Sequence, residues 1–161
     1  MRAADAVEEV KGTEERVMWK LIFTALWLGM LAGMDVRRKN VPVWLLTLGG
    51  IFMTLSSVYE GWKGRPEISE LFWSVLPGVA LLVLAVLTKK AGWADGAVLL
   101  LLGIYTGSRI CIISFGLSMF FISIVSLALL AFRNVNKNTK LPFLPFLYAG
   151  YMFQAAIGII P

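Results

Sequence analysis

Six long apolar runs separated by short polar connections leave this chain few folds to adopt. A helix needs about 20 mostly apolar residues to cross the hydrocarbon core of a bilayer. The runs cover residues 17–34, 41–58, 68–87, 95–106, 110–132 and 142–160. They are continuous rather than alternating, which favours helices over a barrel, because a barrel strand shows one apolar face only. The fourth run is short and is expected to begin in the interface. Pro77 lies inside the third and predicts a kink there. The connections DVRRKN, YEGWKGRPE, TKKAGW, the turn at Gly107-Ser108-Arg109 and RNVNKNTK are short, so sequential helices should be antiparallel neighbours. The expected architecture is all-α: a compact polytopic bundle of about six transmembrane helices. Residues 17–161 form one domain without internal repeat, preceded by a polar tail, 1–16, that either forms a surface helix or stays irregular. The tail does not resemble the basic n-region of a signal peptide, so the first run is expected to remain as a span.

Composition agrees. Of 161 residues 58% are hydrophobic and 16% charged, against about a quarter charged in a soluble domain, and the mean hydropathy is +0.78. The net charge of +5 would raise nucleic-acid binding in a soluble protein. Here no basic stripe is interleaved with exposed aromatics, and no nucleic-acid partner is expected; the partner read from composition is membrane lipid. The one cysteine, Cys111, lies in an apolar run and reads as a buried, inert thiol. The chain contains no histidine, which removes Ser-His and Cys-His nucleophilic sites and the paired-histidine zinc site of HExxH proteases. No cofactor and no metal is expected.

Basic residues set the orientation. Arg37, Arg38, Lys39, Lys89, Lys90, Arg133, Lys137 and Lys140 fall in connections on one side, and only Lys63, Arg65 and Arg109 on the other. The richer side should be cytoplasmic. The tail, with Arg2, Lys11, Arg16 and Lys20, argues the opposite way, and the loops carry more weight. Trp44, Trp62, Trp73 and Trp93 lie near interfaces as anchors, with no catalytic role. Gly29 with Gly33, and Gly103 with Gly107, have the GxxxG spacing that lets helices approach closely, which would suit the first and fourth spans to tight packing.

Most acids lie in the tail or beside the second connection. The two that remain are Asp35, at the end of the first span, and Asp95, at the start of the fourth. In an alternating bundle both reach the same membrane face. An ionisable group in a span is costly and usually functional. Two carboxyls at one depth can share a proton, so that an acid and a base coexist near neutral pH. The ionised member can activate a water for attack on a peptide carbonyl while the protonated one polarises that carbonyl. Each residue also has a plainer reading: Asp95 as the N-cap of its helix, Asp35 as a counter-charge to Arg37, Arg38 and Lys39.

Asp35 stands in GMDVRRKNVPVWL, Asp95 in AGWADGAVLLLLGIYTG, and KLPFLPFLYAGY follows near the end. This order over about residues 20–150 resembles the type IV prepilin peptidases, a family of intramembrane aspartic proteases. That family has an Asp, a basic stretch and a Pro turn after its first core helix, a GxGD motif opening a later helix, and a Lys-hydrophobic-Pro-Phe-x-Pro element before the last. The resemblance implies that Asp35 and Asp95 are the catalytic dyad. It implies a prepilin or pseudopilin substrate of a type IV pilus or secretion system, cleaved after a Gly of its short basic leader at the cytoplasmic border of a prokaryotic cell membrane. Two departures stand out: Ala94 replaces the second Gly of GxGD, and Gly96-Ala97 follow the Asp where the family often has a hydrophobic residue and Lys. The chain resembles the short form without the paired-cysteine N-terminal region linked to methylation, so no methyltransferase activity is expected. The competing readings are a non-catalytic membrane subunit of the same fold and a small proton-coupled transporter, although a relay would more naturally set its acids at mid-membrane.

Overall fold

The computed structural model describes residues 2–38, 41–63, 68–88, 92–131 and 142–157. All regular structure among them is helical: α1 (Arg2–Arg38), α2 (Val43–Lys63), α3 (Ile68–Thr88), α4 (Trp93–Thr106), α5 (Ser108–Ala131) and α6 (Leu144–Ala156). Four stretches, Glu15–Arg37, Val43–Trp62, Ser69–Thr88 and Ser108–Ala131, are long and apolar enough to cross a membrane. The chain is therefore an all-α membrane protein. The 14 residues of α4 and the 13 of α6 rise only roughly 20 Å each, short of the roughly 30 Å hydrocarbon core.

The outward faces confirm what the solvent is. Val86 is 74% and Leu127 70% exposed, and Trp19, Leu48 and Leu55 are similarly open. A continuous apolar exterior of this kind suits lipid, not water. Lipid tails are as apolar as leucine, so burying more leucine does little to hold such helices together; close packing and hydrogen bonds must. The core is small and central: Leu28 and Leu31 of α1, Val98, Leu99 and Leu102 of α4, Cys111 of α5, and Leu144, Leu147 and Tyr151 of α6. The buried Cys111 thiol is free, in line with its sequence context.

Helix α4 is the hub. It packs most extensively on α3, and also on α2, α5 and, more lightly, α1, while α6 lies against α5 and α1. Glycines set the α3–α4 approach. A Cβ on Gly103 would stand 1.9 Å from the Ser74 carbonyl oxygen, one on Gly78 would stand 2.5 Å from the Leu100 backbone, and one on Gly96 would stand 2.9 Å from the Leu82 amide nitrogen. Elsewhere the helices are bridged by side chains. The Trp27 indole N–H donates to the Leu45 carbonyl at 3.2 Å, and its ring fills the space that Gly49 leaves open. Between α2, α3 and α4 runs an apolar groove of about 580 Å³, lined by Gly50, Ile51, Leu82, Ala97 and Leu101 among others.

The tail takes the helical alternative: α1 continues through it from Arg2, because its Ala, Glu, Val and Lys content supports a helix that Gly12 alone does not interrupt. Helix α3 runs from Ile68 to Thr88 with Pro77 inside it and that proline buried. One expectation is corrected. The GxxxG pairs do not join α1 to α4. Gly33 has open space around it, Gly29 rests on the Tyr148 ring, and Gly107 is a turn residue at φ +89° between α4 and α5. Only Gly103 makes a close helix contact, and its partner is α3. The basic residues Lys39, Arg65, Lys89, Lys90, Arg133, Lys137 and Lys140, which carry the orientation expectation, lie outside the described residues.

Candidate functional site

The end of the bundle formed by the C-terminus of α1 and the N-termini of α4 and α6 gathers both acids that the sequence singles out. Asp35 lies in the last turn of α1, where the helix dipole disfavours an anion. It is nevertheless only 8% exposed. Arg37, two residues on, is exposed and forms no salt bridge with it; the Arg38 and Lys39 side chains, the other members of the counter-charge reading, lie outside the described residues. The backbone of Leu144, the first residue of α6, lies beside the Asp35 carboxylate. The positive end of one helix thus offsets the negative end of another. Oδ2 is buried and has no hydrogen-bond partner among the described residues.

Asp95 lies in the first turn of α4. The N-cap of that helix is Gly92, at φ −71° and ψ 123°, with no side-chain cap hydrogen bond; the N-cap reading of Asp95 is therefore corrected, since Asp95 is the third helical residue. Its carboxylate folds back over Gly92, so close that a Cβ there would stand 2.9 Å from Oδ2. Asp95 and Asp35 lie within electrostatic reach of one another. Ala94 is helical, in the first turn of α4. A helical position has no need of glycine's positive φ, and alanine is the better helix former there.

The third sequence element also arrives here. Pro142 and Phe143 lead into α6, and Pro145 occupies its first turn, where a missing N–H leaves no hydrogen bond unmade. Leu144 and Leu147 are both fully buried and pin this turn into the core. Sequence reading named Asp35, Asp95 and the PFLPF element separately. What brings PFLPF to Asp35 is the backbone of Leu144, which leaves no mark in the residue type.

Chemically, the site offers two carboxyls at one depth, one of them buried. Such a pair can hold a shared proton and work on a polar bond brought to the membrane edge. The tryptophans Trp44, Trp62, Trp73 and Trp93 all stand exposed. Compared with protein-family models, with curated proteins and with solved structures, the chain matches none of them.

Proposed function

We propose that the protein is an intramembrane aspartic endopeptidase that removes the basic leader of prepilin-like substrates at the cytoplasmic border of a prokaryotic membrane. One observation carries the reading: two acids some sixty residues apart in sequence meet at one end of the bundle within electrostatic reach, one of them buried. The resemblance of GMDVRRKNVP, GWADGA and KLPFLPF to the prepilin peptidases supplies the substrate class.

In this reading the ionised carboxyl takes a proton from water as its oxygen attacks the scissile carbonyl carbon. The protonated carboxyl gives its proton to the carbonyl oxygen. Collapse of the tetrahedral intermediate breaks the C–N bond: the first carboxyl gives its proton to the leaving amine while the second takes back a proton from the intermediate's hydroxyl, which leaves a carboxylic acid product and restores the starting dyad. No metal, thiol or imidazole enters the cycle. The scissile bond lies after a Gly and ahead of an apolar segment, where an unwound leader junction meets a dyad at the membrane edge.

The test is cleavage of a prepilin-type substrate, Gly at its junction, by wild type and by Asp35→Asn and Asp95→Asn in membranes. Product from wild type alone supports the reading. Full activity in either variant refutes the dyad, and no product from any form across a panel of leaders favours a non-proteolytic relative.

A further inference from the structure

Glycine serves two purposes along α3 and α4. A Cβ on Gly78 or Gly103 would meet backbone atoms of the facing helix, 2.5 Å from Leu100 and 1.9 Å from the Ser74 carbonyl oxygen. Those glycines let the helices touch. Gly92 is of another kind. It is exposed, and its φ of −71° and ψ of 123° suit any L-residue. Among the described residues, a Cβ there would meet one group, the Asp95 carboxyl, with Oδ2 at 2.9 Å, Cγ at 3.4 Å and Oδ1 at 3.8 Å. Neither helix packing nor backbone conformation asks for glycine here. Capping does not ask for it either, since Ser, Asn and Asp rank above Gly at an N-cap.

The Asp95 backbone has no room to retreat from a side chain at 92. Its amide donates to the Gly92 carbonyl at 3.2 Å. The next residue, Gly96, is pressed on α3, where a Cβ would stand 2.9 Å from the Leu82 amide nitrogen. The first turn of α4 is thus held from both sides. Relief has to come from rotation of the Asp95 side chain between its staggered positions.

We propose that Gly92 is a positioning residue of the site: by carrying no side chain it leaves the space into which the Asp95 carboxyl folds, and so sets where that carboxyl stands relative to Asp35. This rests on the peptidase reading. Gly92 supplies no group to the reaction and acts through Asp95. Both carboxyls exchange protons with one water and one carbonyl, so both have to face a single point. A carboxyl turned aside by an added carbon no longer does.

The experiment compares Gly92→Ala and Gly92→Ser with wild type, each as the full chain in lipid nanodiscs. Ala adds the carbon alone. Ser adds the same carbon and a hydroxyl able to cap α4. On a prepilin-type substrate both should lower kcat about 10- to 100-fold, with KM within about threefold. Gly92→Ser should hold the unfolding temperature within about 2 °C. The proteins are labelled with carboxyl-¹³C aspartate, and Asp5, Asp35 and Asp95 are the only aspartates. The Asp95 carboxyl resonance, assigned by its loss in Asp95→Asn, should move in both variants. Gly33→Ala adds a carbon in open space and should leave that resonance in place.

An Asp95 resonance unmoved in both variants overturns the proposal, and so does a moved resonance with unchanged kcat. Full activity in Gly92→Ser beside a loss in Gly92→Ala makes Gly92 a cap and overturns it too. A moved resonance in a protein whose wild type cleaves nothing establishes the steric placing of Asp95 and sinks the peptidase reading instead, so the two failures are told apart.

Discussion

At one end of the bundle Lys20 of α1 and Glu60 of α2 form a salt bridge, with the ammonium 5.4 Å from the centre of the Tyr105 ring. Phe23 packs on Phe52 and, edge-on, on Tyr105, and the Tyr151 hydroxyl donates to the Leu21 carbonyl at 3.2 Å. At the other end α1 and α4 bring two acids of the same sign together, and neither has a salt-bridge partner among the described residues. The first end cancels its charges and ties α1, α2, α4 and α6 into one frame. The second gathers like charge, with no salt bridge to it among the described residues. Charge arranged to cancel serves stability; like charge gathered and left unpaired raises the energy of the fold and needs another reason to persist.

The largest expected effect breaks the comparison at the acidic end. Asp35→Asn and Asp95→Asn should each lower cleavage by at least about 10³-fold, because residues that act as a unit fail together. Neither should lower thermal stability in detergent, since each removes a repulsion. A variant that loses activity and unfolds early would move the acids into the structural class. Next in size is a change in the shaft between the two ends. Gly103→Ala must push the Ser74 carbonyl away from a contact of 1.9 Å and should cost about 1–3 kcal/mol. Gly33→Ala, with open space around it, should be neutral or stabilise by up to about 1 kcal/mol through helix propensity. Equal unfolding temperatures for the two variants would refute the glycine-set approach of α3 and α4.

Much of this was legible in the residues. Apolar run length marks where the helices lie, and alternation of spans is enough to bring Asp35 and Asp95 to one face. The packing partners were not legible. Spacing alone nominates Gly29, Gly33, Gly103 and Gly107, but what a glycine does depends on which helix faces it. Gly78 and Gly96 meet no pattern within their own helices and become visible only when α3 lies on α4. The continuity of α1 was hidden because hydropathy changes at residue 16 while helix propensity does not. Pro145 in the first turn of α6 is a signal for where that helix begins.

A smaller effect sharpens the contrast from the paired end. Lys20→Met should destabilise by about 1 kcal/mol, the scale of a partly exposed ion pair, and leave kcat within about twofold. Adding Glu60→Gln should recover most of that loss, because the remaining penalty lies in the unpaired carboxylate. Thermal unfolding of the single and double variants reads this directly. A large loss of cleavage in Lys20→Met would mean that the two ends are coupled, and that the frame is part of the catalytic machinery.

The smallest expected effect falls at the position where the chain departs from the GxGD pattern. Ala94→Gly restores the glycine. Because residue 94 is helical, in the first turn of α4, the change should cost less than about 1 kcal/mol of stability and alter cleavage by no more than about threefold. A gain of ten-fold or more would show that the loop ahead of Asp95 must flex during turnover, in a way the resting helix does not reveal. The acidic end would then differ from the paired end in mobility as well as in charge.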